Sequence, residues 1–354
     1  MPPYVVDLRS DTVTRPTAAM RRAMGEAEVG DDGYHEDPTV NHLEERAAEI
    51  FAREGALFVA SGTMGNQAAI HVHTRPGQEV ICETRAHVFN SEMAMMAAFS
   101  GCIARTSWVE DGILTWKHIA TLLRQPAENR AATGLIVLEN TANLAGGTVC
   151  SSEIAEEVCQ RAHAAGVPVH LDGARIFNAC AALGRTPVEL TSKFDSVMFC
   201  LSKGLGAPVG SMLVGSKSFI QEARRVRKML GGGLRQVGVL AAAGLVALEE
   251  GLRSIPEDHE NARFVADALA EVEGIRIDPS KVVTNIVVFE LVAAGLDAFE
   301  VSRRLAGVGV LVNPRTHTTI RLVTHRDADR AGCERAVDAL RRVLGASREA
   351  VRSG

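Results

Sequence analysis

A single lysine stands between an apolar run and a glycine-rich turn. In FCLSKGLGAPVG, residues 199–210, Lys203 follows a stretch that is typical of a buried strand. A desolvated ammonium group is costly unless it is paired or deprotonated. The position of Lys203 therefore requires a chemical explanation.

An aspartate occupies the corresponding place after another apolar run. In VPVHLDGARIFNA, residues 167–179, Asp172 ends a predicted strand, and ligands of doubly wound sheets bind at the carboxyl ends of the strands. Asp172 and Lys203 can reach one crevice if their strands lie near each other. On spacing alone, a simple salt bridge between the two explains the pair equally well.

A third stretch favours a cofactor site. FVASGTMGN, residues 58–66, is typical of a strand, a turn and the start of a helix. Backbone N–H groups at a helix start, with Gly62 for close approach and the Thr63 hydroxyl, can bind a phosphate, although an ordinary helix cap has a similar composition. A phosphate site, an amine and a carboxylate together match the needs of pyridoxal phosphate, which are an anchor, a Schiff-base partner and a carboxylate for the pyridine nitrogen.

Short apolar runs alternate with helical patterns over the first 250 residues. The predicted strands cover residues 56–60, 79–82, 134–138, 168–171, 196–200 and 210–214. This alternation predicts an α/β fold with a largely parallel sheet covered on both faces. We predict an N-terminal arm plus a large cofactor-binding domain over residues 1–250, and a small C-terminal α/β domain over residues 251–354.

Composition excludes several functional classes. The 354 residues include 38 Lys and Arg against 43 Asp and Glu, a net charge of -5, so nucleic acid is not an expected partner. The seven cysteines form no C-x-x-C pair, and we expect reduced thiols and a cytoplasmic protein. We expect no signal segment, since the first residues lack a basic stretch followed by an apolar one. We expect no membrane span either, because the apolar run at 237–252 contains glycines and ends in glutamates. His71 and His73 face apart on a helix, so no metal site is expected.

Several long motifs occur together along most of the chain: DLRSDTVTRPT (7–17), VGDDGYHEDPTVN (29–41), SGTMGN (61–66), LDGARIFNA (171–179), LSKGLGAPVGSMLVG (201–215), RKMLGGGLRQVG (227–238) and IRLVTH (320–325). In this order they resemble the low-specificity L-threonine aldolases. The resemblance implies a three-layer aspartate-aminotransferase-like fold (fold type I) with a mostly parallel seven-stranded sheet. It also implies a lyase that uses pyridoxal phosphate to cleave L-threonine, L-allo-threonine or related β-hydroxy-α-amino acids to glycine and an aldehyde.

The resemblance assigns roles at the cofactor. Lys203 would form the Schiff base, and Asp172 would pair with the pyridinium nitrogen. Arg175 would lie near the ring oxygen and the substrate, and His87 in TRAHVFNSE would stack on the ring. The residues that would hold the phosphate are Ser61, Gly62, Thr63 and Ser202.

At the substrate, the resemblance implies that Arg321 binds the α-carboxylate with Ser10 beside it, as suits a planar guanidinium. The β-hydroxyl must lose a proton as the Cα–Cβ bond breaks. Two bases remain open: His87 itself, or a water that Glu92 helps to orient. Family members commonly carry a second pocket histidine where this chain has Asn129, from which we expect weak threo/erythro discrimination.

The resemblance also implies assembly. Tyr34, Lys228 and Arg235 lie in motifs that complete the site of a neighbouring subunit, so a homotetramer built as a dimer of dimers is expected. A plain glycine turn at 231–233 with flanking basic residues is the alternative interpretation.

Four other functions are alternatives to aldol cleavage. A β-eliminating lyase or a glycine/aldehyde transaldolase would use the same lysine, aspartate and phosphate loop. A noncatalytic cofactor-binding regulator is disfavoured by the full set of Lys203, Asp172, Arg321 and His87. A nicotinamide oxidoreductase is disfavoured because no G-x-G-x-x-G follows an early strand.

Overall fold

The computed structural model describes residues 5–292 and 297–352. Its strands are β1 (Val6–Asp7), β2 (Gly55–Val59), β3 (Glu79–Glu83), β4 (Ile103–Ser107), β5 (Thr133–Glu139), β6 (Val169–Asp172), β7 (Ser196–Cys200), β8 (Ser211–Gly215), β9 (Ile275–Arg276), β10 (Ile286–Leu291), β11 (Val310–Leu311), β12 (Asn313–Pro314) and β13 (Thr319–Val323). Its α-helices are α1 (Ala18–Glu26), α2 (Pro38–Ile50), α3 (Gly62–His73), α4 (His87–Asn90), α5 (Met95–Ala98), α6 (Trp116–Leu122), α7 (Ser152–Ala164), α8 (Ile176–Leu183), α9 (Pro187–Thr191), α10 (Lys217–Met229), α11 (Gly238–Glu250), α12 (Ile255–Ala270), α13 (Ala298–Gly307) and α14 (Arg330–Arg352).

The chain forms two compact units. The larger unit is Pro16–Leu252, and the smaller unit joins Met1–Arg15 to Arg253–Gly354. The sequence pattern predicts that the N-terminal arm belongs with the large domain, and the bounds of 1–250 and 251–354 stay a prediction. In the structure β1 pairs in parallel with β11, with Val6 opposite Val310, and this pairing holds the arm in the smaller unit. A strand of two residues carries no periodic pattern from which its partner could have been predicted.

The larger unit contains a seven-stranded sheet in the order β2-β8-β7-β6-β5-β3-β4. Strands β3 to β7 are parallel, and β8 is antiparallel to both of its neighbours. The mostly parallel seven-stranded sheet predicted from the sequence is therefore confirmed. Strand β4 was not among the strands predicted from apolar runs, because it lies at the sheet edge and is only partly buried.

Two helices of the larger unit show how its apolar residues are buried. α3 packs on β7 and β8, and its residues Ala68, Ala69 and Ile70 are fully buried. α11 is rich in alanine and buried along much of its length, as expected for the apolar run at 237–252. Among the described residues, no helix combines the length and apolar character needed to cross a membrane.

Three neighbouring strands end at one edge of the sheet. β5 and β6 pair with Glu139 opposite Asp172, and β6 and β7 pair with Asp172 opposite Met198. Because these strands are parallel, their carboxyl ends lie side by side. Polar side chains that follow β5, β6 and β7 are thus placed together by the sheet itself.

The smaller unit has its own sheet and core. Antiparallel strands in the order β12-β13-β10-β9 pack with α12, α13 and α14 around buried apolar side chains such as Phe289, Leu322 and Leu340. Arg321 lies in the middle of β13, opposite Val288 of β10.

Candidate active site

Lys203 lies in the turn that follows β7. The turn is closed by backbone hydrogen bonds from Leu201 and Ser202 to the carbonyl of Gly210, at 3.0 and 3.2 Å, and from Gly206 to the carbonyl of Lys203, at 2.8 Å. Ser202 and Lys203 are partly exposed, whereas the strand before them is buried. The turn therefore presents the lysine at the carboxyl edge of the sheet.

Asp172 ends β6, the strand next to β7, and is 1% exposed. Its Oδ1 accepts the backbone N–H of Ala174 at 3.1 Å, and its Oδ2 accepts the side-chain amide of Asn66 at 2.9 Å. Arg175 follows in the same turn and is also buried. Two donors thus fix the orientation of this buried carboxylate.

The first turn of α3 lies against the end of β7. Ser61 is the N-cap residue, and its side chain accepts the backbone N–H of Met64 at 3.2 Å. A Cβ on Gly62 would lie 3.1 Å from the Cys200 Sγ and 3.2 Å from the Met198 Cε, so the helix start packs tightly against these two side chains. The helix start with Ser61, Gly62 and Thr63 is therefore beside the strand that carries Lys203.

His87 and Glu92 form a hydrogen-bonded pair at the same edge. The His87 Nδ1 lies 2.7 Å from the Glu92 Oε1, and Glu92 is fully buried. Asn66 and Gln67 of α3 also donate to Glu92, at 2.8 and 2.6 Å. One ligand atom each from His87, Glu92 and Asp172 lies within 4.8 Å of the others, so α3, α4 with the turn after it, and the end of β6 converge.

The hydrogen bond to Glu92 raises the pKa of His87 above its ordinary value, with the charge of Asp172 acting in the same direction. Burial and the nearby Lys203 oppose this shift. Because Glu92 accepts the proton on Nδ1, the neutral imidazole carries its lone pair on Nε2. His87 is thus equipped to accept a proton through Nε2.

Glu139, at the end of β5, fixes the backbone around His87. Its carboxylate accepts the backbone N–H of His87 at 2.7 Å and that of Asn143 at 2.8 Å. Burial raises the pKa of Glu139 to about 7, and the charge of Asp172 adds to the effect. Glu139 therefore joins the start of α4 to the loop after β5.

The family of the chain is decided by comparison with known proteins. Residues 7–292 match the family described as beta-eliminating lyase. The low-specificity L-threonine aldolase 1 of Arabidopsis thaliana is 45% identical over 325 residues, which cover 90% of this chain and 91% of that protein. The low specificity L-threonine aldolase of Escherichia coli (strain K12) is 42% identical over 331 residues, 92% of this chain and 95% of that protein.

The chain belongs to the low-specificity L-threonine aldolase family. A solved structure of the threonine aldolase of Leishmania major has the same fold, with a TM-score of 0.79 at 20% identity, over 97% of this chain and 100% of that one. The predicted family, the aspartate-aminotransferase-like fold, the carbon–carbon lyase class and the cofactor pyridoxal phosphate are thereby confirmed.

The described residues fit pyridoxal phosphate. The open first turn of α3 offers N–H groups that no residue within the helix can accept. Lys203 supplies an amine, and Asp172 supplies a buried anion whose charge would favour a proton on the ring nitrogen. The Asn66 amide donates to both Glu92 and Asp172. The expectation that this protein binds no metal stays a prediction.

Ser10 and Arg321 lie near each other in the smaller unit. An Arg321 guanidinium nitrogen donates to the carbonyl of Arg9, the residue before Ser10, at 3.2 Å. The Ser10 hydroxyl accepts the backbone N–H of Thr12 at 3.2 Å. The two residues predicted to bind the substrate carboxylate are therefore grouped in this unit, and their role stays a prediction.

Tyr34, Lys228 and Arg235 line a separate open groove of about 950 Å³ in the larger unit. Tyr34 is 74% exposed, and the Arg235 side chain is 64% exposed and pairs with Asp31 at 3.5 Å. Neither Lys203 nor Asp172 lines this groove. The structure therefore does not bring these three residues to the cluster at the carboxyl edge of the sheet.

Asn129 lies away from the other site residues of the larger unit. It is exposed in the loop before β5, whereas Glu139 ends that strand at the site. A strand of seven residues is roughly 20 Å long. Within one chain Asn129 is thus at the opposite end of β5, and its predicted contact with substrate stays a prediction.

Four residues that hydrogen-bond to the site residues or to their partners were not predicted from the sequence. These are Asn66, Gln67, Glu139 and His170. His170 had a signal, because it is the one polar residue inside an otherwise apolar strand pattern that precedes Asp172, and a fully buried polar side chain needs a partner. Asn66 had a weaker signal as the last residue of the phosphate-loop motif.

Proposed function

We propose that this enzyme cleaves the Cα–Cβ bond of L-threonine, L-allo-threonine and related β-hydroxy-α-amino acids to give glycine and an aldehyde. The observation that carries the proposal is the pairing of His87 with Glu92 within 4.8 Å of the Asp172 carboxylate. Retro-aldol cleavage needs a base for the substrate β-hydroxyl. A β-elimination instead removes the Cα proton and expels the β-substituent, so it does not need this second base.

Pyridoxal phosphate, when bound, supplies an electron sink for the bond that breaks. Lys203 provides the amine that binds the cofactor, and Asp172 keeps a negative charge at the ring nitrogen. Helix α3 and its neighbouring turn would hold the phosphate through Ser61, Gly62, Thr63 and Ser202. Arg175, which follows Asp172 in the same turn, would face the cofactor or the substrate.

The substrate has two polar groups that this chain must bind. Its α-carboxylate suits the planar guanidinium of Arg321, with Ser10 beside it. Its β-hydroxyl proton would pass to the Nε2 of His87, or to a water that the pair of His87 and Glu92 orients. Fixing the carboxylate sets the rotation about Cα, and thereby selects which bond breaks.

Assembly would complete the site. The groove lined by Tyr34, Lys228 and Arg235 is rich in basic side chains and is not lined by Lys203 or Asp172. We infer that it faces the cofactor or substrate of a second copy of the chain, in a dimer and then in a tetramer built from two dimers.

The seven cysteines, all of which lie in the described residues, are buried and form no disulfide, which supports a reducing compartment such as the cytoplasm.

The proposal is tested by a panel of substrates. Purified enzyme with pyridoxal phosphate is incubated with L-threonine, L-allo-threonine, their D-forms and L-phenylserine, and glycine and aldehyde are quantified from each. Both products are expected from the L-forms. An absence of glycine from all three L-substrates would contradict the proposal.

Replacing Arg321 by lysine should lower kcat/KM markedly although the charge is retained. An ammonium group lacks the planar fork that binds both carboxylate oxygens. We expect a loss of at least about tenfold, or about 1.4 kcal/mol, measured with L-threonine at saturating cofactor. A loss below about threefold would show that Arg321 does not bind the carboxylate.

Glu92→Gln should move the acid limb of the pH profile. A protonated His87 cannot accept a proton, so kcat/KM should rise with pH as His87 deprotonates. The hydrogen bond from His87 to Glu92 raises this pKa, and its loss should therefore shift the limb to lower pH. The pH dependence of kcat/KM for L-threonine measures this, and a limb that stays in place or moves to higher pH would exclude His87 as the titrating base.

A further inference from the structure

A buried amide lies between the two carboxylates of the site. The Asn66 Nδ2 is 2.8 Å from the Glu92 Oε1 and 2.9 Å from the Asp172 Oδ2. On its other side, the Asn66 Oδ1 is 3.1 Å from the Nε2 of His170 on β6. Asn66, Glu92 and His170 are fully buried, and Asp172 is nearly so, so protein groups must satisfy these polar atoms.

The contacts continue behind His170 to the far end of α3. The His170 Nδ1 lies 2.8 Å from the Ser196 Oγ, and the same hydroxyl lies 2.8 Å from the Nε2 of His73. Burial lowers the pKa of His170 to about 3 and that of His73 to about 4. Both imidazoles are therefore neutral at physiological pH, and each has one donor and one acceptor nitrogen.

The carboxylates at one end of this chain of contacts, and the neutral imidazoles at the other, determine the direction of every hydrogen bond between them. Carboxylates only accept, so the Asn66 Nδ2 donates to both and its Oδ1 must face His170. The Nε2 of His170 then carries the proton and donates, which leaves a lone pair on Nδ1. The Ser196 hydroxyl donates to that lone pair and accepts the proton on the Nε2 of His73. With both histidines neutral and both carboxylates accepting, this arrangement gives each of these atoms a partner.

We propose that Asn66 and His170 are positioning residues for the reaction: Asn66 bridges Asp172 and Glu92, and His170 holds the amide in the orientation that donates to both. If the amide turned over, its oxygen would face the oxygens of both carboxylates, and the hydrogen bonds to Asp172 and Glu92 would be lost. Asp172 would then be held less firmly toward the ring nitrogen. Glu92 would be held less firmly toward the Nδ1 of His87. The inference rests on the roles of Asp172 and Glu92 in the proposed function.

The bridge links two tasks that the family motifs place far apart in sequence. Asp172 serves the cofactor, and Glu92 serves the base that acts on the substrate. One amide donates to both, so the two carboxylates are oriented together. Gln67, the next residue of α3, donates only to the Glu92 Oε2, at 2.6 Å, and offers a matched comparison because it supports one carboxylate and not the other.

The first test measures the tautomer of His170 in the native holoenzyme. Solid-state NMR of ¹⁵N-histidine-labelled enzyme, with the resonance assigned by its loss in His170→Gln, should show a neutral ring protonated on Nε2 from about pH 6 to pH 9, given the lowered pKa. A ring protonated on Nδ1, or a charged ring, would overturn the inference. The tautomer is observed in the native enzyme, and the folded variant serves only to assign the resonance.

The second test compares two replacements of His170. The amide nitrogen of Gln can take the place of the Nε2 donor, whereas Leu fills similar space without a donor. We expect His170→Leu to weaken the Kd for pyridoxal phosphate at least about tenfold and to shift the pH at which the absorbance of the bound cofactor changes. His170→Gln should stay within about threefold of the native Kd. Equal behaviour of the two variants, with comparable Tm, would contradict the inference.

Gln67→Met is the control for loosened packing. It removes a donor to Glu92 and leaves the Asp172 side of the bridge intact. The cofactor Kd should stay within about twofold of the native value, while the acid limb of kcat/KM moves. A cofactor Kd weakened as much as in His170→Leu would show that general packing, and not the bridge, sets the effect. The product assay on the native enzyme decides the proposed function separately.

Discussion

Lys203→Ala is expected to reduce cleavage of L-threonine by at least about 10³-fold and to abolish the absorbance of the lysine-bound cofactor. The residue stands in the turn after β7, beside the close contact between Gly62 and Cys200 that places the helix start. No lysine other than Lys203 lies in that turn, and Lys228 lines the separate groove. Steady-state rates and the spectrum of the purified variant at saturating pyridoxal phosphate measure both effects.

Lys193→Ala is the matched control for this substitution. Lys193 is exposed and precedes β7, whereas Lys203 follows it, so the two lysines lie at opposite ends of one strand. The control should keep the native rate and spectrum. If Lys203→Ala retained the native cofactor spectrum and turnover, the assignment of the Schiff-base lysine would be wrong.

Asp172→Asn should leave the cofactor bound but slow cleavage by about 10³-fold or more, which corresponds to about 4 kcal/mol in the barrier. An amide has nearly the same shape but carries no charge to stabilise a protonated ring nitrogen. It would also bring its own N–H groups toward the amide of Asn66, which now donates to Asp172. The measurements are kcat at saturating substrate and the amount of bound cofactor.

Asp195→Asn provides a comparison at the other edge of the same sheet. Asp195 accepts the backbone N–H of Val169 at 2.7 Å, at the start of β6, whereas Asp172 ends that strand. The control should keep kcat within about twofold of the native enzyme. Unchanged turnover in Asp172→Asn would mean that the ring nitrogen is protonated by another group.

The strands that could be predicted from the sequence are those that are continuous apolar runs. The runs at 168–171 and 196–200 correspond to β6 and β7, because strands buried on both faces need apolar residues at every position. β4 escaped prediction, since an edge strand with partly exposed Ile103, Arg105 and Ser107 has no such run. The pairing of β1 was not predicted either, because its partner β11 is 304 residues further along the chain, with Val6 opposite Val310. Pairing at that separation leaves no local pattern in the sequence.

The site was predictable for residues that end strands or begin helices. Asp172, Lys203 and the first turn of α3 have positions that follow from the sheet, and the structure brings them to one edge. The supporting residues were not predictable in this way. Asn66 is an ordinary helical residue by pattern, and its partners Glu92 and His170 come from two other elements, so only tertiary packing shows that they meet.

Four predicted site residues do not lie at the carboxyl edge of the sheet within one chain. Asn129 is predicted to contact the substrate because family members commonly carry a pocket histidine there. Within one chain it precedes β5 and lies at the other end of that strand from Glu139. Tyr34, Lys228 and Arg235 share a groove that Lys203 does not line. Their predicted roles require a second subunit, which sequence patterns within one chain cannot position.

The products formed from L-threonine test the proposed reaction most directly. The native enzyme, loaded with pyridoxal phosphate, is incubated with L-threonine while substrate, glycine, acetaldehyde, ammonia and 2-oxo acid are measured over time. Retro-aldol cleavage predicts that glycine and acetaldehyde appear in equal amounts, each matching the threonine consumed, with no release of ammonia. Threonine loss that instead yields ammonia and 2-oxobutanoate, without glycine, would contradict aldol cleavage and identify the enzyme as an eliminating lyase.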